Sequence, residues 1–286
     1  MAMVINTNIA SLQGQRYLNQ TQMSLQTAMQ RLSSGLKINS AADDPSGLAI
    51  ADNMTSQING MGVATSNAND AISMVQTADS AMSTLTDTLQ SMRDLAVQAA
   101  NFGTTGSSDR AKLATEFNQL SAELKRVITS TQFNNKSILN GSMSHVNFQI
   151  GADTTANNRI SVDLGNLMKA SGVGSMASAY NATGVSIGSN AGSTTVSTAI
   201  NTIDTALKTI DTLRATLGAI QNRLTDTISN LSSASNNQSA ARSRIQDANF
   251  ASETSNLSRS QILQQAGTAM LAQANQSNQT VLSLLK

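Results

Sequence analysis

Between Pro45 and Asn101, apolar or small residues recur at Ile58, Met61, Thr65, Ala68, Ile72, Val75, Ala78, Met82, Leu85, Leu89, Met92, Ala96 and Ala99. The steps alternate between three and four apart from one three-three step, a heptad pattern held for about six repeats. Only a long helix keeps such residues on one side, so the run demands a helix packed lengthwise against others. Asp44-Pro45-Ser46 supplies its start, because proline suits an opening helical position. From Ser46 to Asn101 the helix would measure on the order of 80 Å at ~1.5 Å per residue. The loop 102–108 ends it. Pro45 is the single proline among 286 residues. Since an interior proline costs a helix roughly 3 kcal/mol, long helices are open to the rest of the chain as well.

The same stepping predicts a shorter helix through Leu113, Phe117, Leu120, Leu124, Val127 and Thr131. A third runs through Val196, Ile200, Ile203, Leu207, Ile210, Leu213, Leu217, Ile220, Leu224, Ile228 and Leu231. Between them, Val146 to Ile150 and Ile160 to Leu164 alternate apolar and polar residues, which predicts a small β-hairpin over 146–164. Residues 171–195 are rich in Gly, Ser, Ala and Thr without a sustained period and read as an exposed, tolerant loop. At the N-terminal end, Ile5, Ile9, Leu12, Leu18, Leu25, Met29, Leu32 and Leu36 mark one helical face. Ile245, Leu257, Ile262, Leu263, Ala266, Met270, Val281, Leu284 and Leu285 do so at the other end. These stripes are thin and poor in charge. Each end is expected to stay unordered until a partner covers it.

Composition narrows the function. Five Phe, two Tyr and no Trp leave few of the residues that bury about 150–250 Å² each, which disfavours a broad sheet with a deep pocket. The expected fold is mainly α, an elongated rod of long coiled-coil-like helices with one small hairpin and paired terminal helices. A net charge of +1 and no basic run give nucleic acid nothing to bind. Without cysteine there is no thiolate chemistry. His145 is the single histidine, so no zinc-binding helix motif or cluster that needs two histidines can be assembled; it reads as a solvated residue beside the hairpin. Asp43 and Asp44 are adjacent and suit a helix N-terminus better than acid–base work. Met61, Met74, Met82 and Met92 read as packing residues. No catalytic, cofactor-binding or metal site emerges, and the chain is read as a non-enzyme. The N-terminus lacks the apolar core of a cleavable signal, and no stretch approaches 18 apolar residues, so no membrane insertion is expected.

Stretches in both halves of the chain carry a family resemblance. Residues 31–51, RLSSGLKINSAADDPSGLAIA, together with MVINTNIASL at 3–12 and Thr131-Gln132-Phe133-Asn134, resemble the N-terminal signature of bacterial flagellin. Residues 243–251, SRIQDANFA, and the closing stretch from Gln261 to Lys286 resemble its C-terminal signature. The resemblance covers roughly 1–168 and 196–286.

The resemblance implies a structural subunit that polymerises into the flagellar filament for swimming motility, after unfolded export through the flagellar type III apparatus to the cell exterior. It implies an inner-core domain of 1–44 with 247–286, and a helical domain of 45–170 with 196–246. Residues 171–195 form a loop too short for the variable outer domains of many flagellins. Ile5, Ile9, Leu12, Leu25, Met29, Leu32, Leu257, Leu263, Met270, Val281 and Leu284 are then the polymerising inner core. Implied partners are further copies of the chain, an export chaperone covering the C-terminal helix, the export apparatus, and the filament cap and hook–filament junction proteins. Gln90, Arg93, Leu95 and Glu116 resemble the patch read by the flagellin-sensing Toll-like receptor of animals; Ser91 departs from it, since strong agonists carry Arg there. Flagellins are often O-glycosylated on outward Ser and Thr, for which Ser107, Ser144, Thr183 and Ser186 are the candidates. Two other readings stay open at this stage. A hook–filament junction protein shares the terminal helices, and a coiled-coil signalling module shares the Ala/Ser/Gln-rich composition but has no place for the hairpin.

Overall fold

In the computed structural model the backbone is described for residues 7–143, 145–178 and 185–283, with side chains through Gln276. The described residues are mainly helical. The elements run α1 (Ile9–Ser34), α2 (Pro45–Ala99), α3 (Ser107–Ser130), β1 (Gln132–Phe133), β2 (Lys136–Ser137), β3 (His145–Gln149), β4 (Arg159–Asp163), α4 (Val173–Ala177), α5 (Ser193–Gln246) and α6 (Phe250–Ser283). They group into two compact units, Met1–Ile58 with Asn236–Lys286, and Asn59–Ser235. The divisions fall inside α2 and α5.

Helix ends are written in local chemistry. Asn8 caps α1, its Oδ1 accepting from Ser11 N at 3.0 Å, and Gly35 closes it at φ 71, a left-handed position that suits glycine. Asp44 caps α2, its Oδ1 accepting from Ser46 N at 3.1 Å and Gly47 N at 3.0 Å. Asn249 does the same for α6 through Ala251 N and Ser252 N. Between α1 and α2, Asp43 Oδ2 accepts from Asn39 N, Ser40 N and Ser40 Oγ at 2.9–3.1 Å. The two interhelix joints are stitched together, with Lys37 N donating to Gln246 O at 2.7 Å and Ala248 N to Gly35 O at 2.9 Å.

The core of the second unit follows the heptads. Met74, Met82, Leu85, Leu89 and Met92 of α2, Phe117, Leu124 and Ile128 of α3, and Val196, Ile203, Ile210, Leu217 and Leu224 of α5 are all buried. Over the earlier turns the seam lies one residue back, on Ala64 and Ala71, while Thr65 and Ile72 are half-buried. The Thr65 hydroxyl instead donates to Met61 O at 2.9 Å. Two ion pairs tie α2 to α5: Arg214 Nε to Asp79 Oδ1 and Arg93 Nε to Asp204 Oδ1, each at 2.8 Å.

The hairpin forms one residue earlier than its alternation predicts, β3 antiparallel to β4 with Val146 opposite Val162 and Phe148 opposite Ile160. These four apolar residues face the core, and Asn67 Nδ2 of α2 donates to Gln149 O at 3.0 Å. A second, two-residue hairpin of β1 and β2 turns through Asn134 and Asn135, both at positive φ; its runs are too short to show a period.

The expected exposed loop at 171–195 is corrected in part. Residues 173–177 are helix α4, and Val173, Met176 and Ala177 are buried, as are Val185, Ile187 and Ala191. The reason is local: Ser121 Oγ of α3 donates to Met176 O at 2.6 Å, and Gly172 at φ 81 lets the backbone lie against α5. A stretch of five residues is too brief for a helical period to be seen.

Candidate functional site

The terminal segments, expected to be unordered as single chains, are the helices α1 and α6, packed antiparallel on each other. Their buried and half-buried positions include Ser11, Gly14, Leu18, Thr21, Leu25, Ala28 and Leu32 on α1. On α6 they include Glu253, Leu257, Ser260, Gln264, Gly267, Leu271 and Ala274. Both rows step by three and four, a heptad seam in which glycine, serine, threonine and alanine alternate with leucine. At one end Asn8 Nδ2 donates to Ala274 O at 3.0 Å. At the other Arg31 Nη1 donates to Glu253 Oε1 at 3.3 Å, with Glu253 buried in the first turn of α6, where a carboxylate also meets the positive end of the helix.

This seam is not the apolar stripe that the sequence suggests. Leu25, Leu32 and Leu257 lie half-buried in it, but Ile9 is 63% exposed, Leu12 49%, Met29 56%, Leu263 51% and Met270 68%. Tyr17, Met23 and Ile262 are exposed as well. Small residues at the seam let the helices approach, which leaves the large side chains outside it. Ile5 and Leu284 lie outside the described residues, and so does the side chain of Val281. Tyr17, Met23, Leu263 and Met270 line one groove of about 1060 Å³ that runs along the pair between Ala10 and Arg31 of α1 and between Glu253 and Ala274 of α6. Tyr17 and Met23 were not singled out by sequence, since neither sits on the row of leucines.

The other named residues lie in the second unit. Gln90 and Glu116 are exposed, on α2 and α3. Arg93 is held by Asp204, whose hydrogen bond and charge keep the guanidinium pKa above its ordinary value, and Leu95 packs half-buried against the core. Ser107 opens α3 and Ser186 follows Val185, both exposed; Ser144 and Thr183 lie outside the described residues. His145 is exposed, its Nδ1 3.5 Å from Asp163 Oδ2. Among the described residues no group of three or more His, Asp or Glu is placed to hold a metal ion, and no helix is long and apolar enough to cross a membrane.

With this geometry in place, the likeness to known proteins is specific. Residues 5–144 match the bacterial flagellin N-terminal helical region and residues 200–285 the bacterial flagellin C-terminal helical region. Flagellin of Xenorhabdus nematophila is 42% identical over 316 aligned positions that cover the whole of both chains. Flagellin B of Vibrio cholerae serotype O1 is 48% identical over 154 residues, 54% of this chain and 41% of that one, so the chain covers less than half of that relative's length. Among solved structures, one described as a flagellar hook-associated protein of Vibrio parahaemolyticus has a TM-score of 0.54 at 14% identity, covering 72% of this chain and 100% of that one; at that identity the likeness is one of fold alone. Matched at both ends by the family's helical regions and aligned end to end with a full-length relative, the chain belongs to the bacterial flagellin family.

Proposed function

We propose that the chain is the structural subunit of the bacterial flagellar filament, a helical homopolymer outside the cell that serves swimming motility, and that it performs no catalysis. One observation carries this reading: α1 and α6 pair through small residues and leave Ile9, Leu12, Tyr17, Met23, Met29, Ile262, Leu263 and Met270 uncovered. A surface of that kind calls for a partner. Burial contributes roughly 25 cal/mol per Å² of apolar area, against about 1–2 kcal/mol of backbone entropy for each residue ordered. A lone helix pair with a thin seam gains little beyond that cost, whereas neighbours on both sides add area without ordering the chain again. Contacts between unlike surfaces repeat without closing, which generates a filament. In this reading 1–44 with 247–286 is the assembling part.

The subunit would be exported unfolded by the flagellar type III apparatus, with a chaperone on the apolar C-terminal helix, and would add at a capped tip beyond the hook–filament junction. Gln90, Arg93, Leu95 and Glu116 form the candidate patch for the animal receptor, with the Arg93 guanidinium available only in so far as it leaves Asp204. Ser107 and Ser186 are the candidate glycosylation positions with described, exposed side chains. The test is electron microscopy of purified full-length chain seeded with filament fragments at neutral pH. Smooth helical filaments are expected; compact dimers alone would overturn the reading.

A further inference from the structure

Two stretches on different helices share one pattern. Gly14-Gln15-Arg16-Tyr17-Leu18 lies in α1 and Gly267-Thr268-Ala269-Met270-Leu271 in α6. In each, a glycine is followed four residues later by a leucine, so the two share one helix face. Antiparallel packing brings each leucine to the other helix's glycine. A methyl built on Gly14 would stand 3.0 Å from Leu271 Cδ1, and one built on Gly267 would stand 3.4 Å from Leu18 Cδ1. Neither glycine has a positive φ, so backbone conformation does not require them. Both are poor helix formers inside long helices, and what they provide is a hollow for a facing leucine.

We propose that these two Gly-x-x-x-Leu stretches form a reciprocal knob-and-hole lock that sets the register of α1 against α6. The rest of the seam cannot do so. Ser11, Thr21, Ala28, Ser260 and Ala274 are small and similar enough to face one another after a slip of one heptad, which displaces the helices by about 10 Å. In the observed register each leucine fills the opposite hollow. A slip in one direction would set Leu271 against Thr21 and Leu18 against Ala274, and a slip in the other would set Leu18 against Ser260 and Leu271 against Thr7, all positions that carry a Cβ. The polar contacts at the two ends, Asn8 to Ala274 and Arg31 to Glu253, agree with the same register. The register in turn decides which exposed residues line the shared groove, Tyr17 and Met23 beside Leu263 and Met270. The lock stands on the helix pair itself; only its consequence for assembly rests on the filament reading.

The chain has no cysteine, so Gln26→Cys and Gln273→Cys, both at exposed positions of the two helices, accept spin labels at unique places. In the observed register they are offset along the axis by on the order of 20 Å. Their distance distribution is measured by pulsed electron resonance in the free full-length chain and, diluted in unlabelled chain, in assembled filaments. A single narrow distance is expected, with Gly14→Leu or Gly267→Leu moving its maximum by about 10 Å or spreading it over several registers. Exchanging knob and hole, as Gly14→Leu with Leu271→Gly or Gly267→Leu with Leu18→Gly, restores the original distance. Helix propensity alone predicts no such rescue, since each exchange leaves the number of glycines unchanged. An unmoved distance in Gly14→Leu and Gly267→Leu overturns the lock. So does a broad distribution of the parent chain in both states, or failure of both exchanges to restore the distance. Filament formation is scored separately by microscopy: absence of filaments with the distance intact sinks the filament reading and leaves the lock standing.

Discussion

Asp43 shows how much a single side chain can organise. Its carboxylate accepts two backbone N–H groups and the Ser40 hydroxyl, and these hydrogen bonds, led by that from Asn39, lower its pKa. A depressed carboxyl pKa contributes stability that is fully present above the unfolded value and is lost as pH falls through the lower folded value. An NMR titration should therefore place Asp43 below ordinary exposed carboxyls, and Asp43→Asn should remove the acid-side loss of order in the 39–44 turn. A midpoint at or above the ordinary carboxylate range would contradict this. The sequence places Asp43 and Asp44 at a helix start, but not their division of labour. Asp44 caps α2 while Asp43 holds the turn before it, a difference set by backbone direction. Glu253 is the second such residue. Glu253→Ala strips Arg31 of its carboxylate and should cost about 1–3 kcal/mol at this partly buried, charged hydrogen bond, read as faster amide exchange over the first turns of α6.

At the scale of elements, periodicity explains most of what forms. α2 begins at Pro45, which suits an opening helical position, more than three turns before the first heptad residue Ile58, and it ends at Ala99, the last of them. Leu89 is fully buried in that seam, so Leu89→Ala should destabilise the second unit by about 2–5 kcal/mol, measured as a lower thermal midpoint. Short elements were not legible. α4 forms because Ser121 holds its carbonyl and Gly172 fits against α5, neither of which has a sequence signature. A Cβ on Gly172 would stand 2.6 Å from Ala206 N and 2.7 Å from Thr202 O. Gly172→Ala should thus lift α4 from α5 at a cost of about 1–3 kcal/mol for the strained backbone alone, with exposure of Met176 to oxidation as the readout. An unchanged thermal midpoint and a protected Met176 would show that this contact is dispensable.

For the whole molecule, the two units answer to different changes. Removing residues 247–286 should abolish filament growth while Asn59–Ser235 keeps its cooperative thermal transition; filaments from the truncated chain would show that α6 is not needed. Leu263→Gln and Met270→Gln alter exposed side chains, so stability should move by no more than about 0.5 kcal/mol. Each large apolar side chain buried on assembly contributes roughly 1.5–3 kcal/mol, so each substitution should raise the critical concentration for filament growth by about tenfold or more. By itself, the sequence determined the helix class, the hairpin and its apolar face, and the flagellin resemblance, since period, caps and signatures are local. Only the tertiary structure decided which face of α1 meets α6. Leu18, Leu25, Leu32, Leu257 and Leu271 lie in that seam, but the glycine, serine and alanine between them set how close the helices come, and small residues draw no attention until two helices are set side by side. That choice leaves Ile9, Leu12, Leu263 and Met270 in the open, and in the proposed filament this uncovered face is the one that assembly would bury.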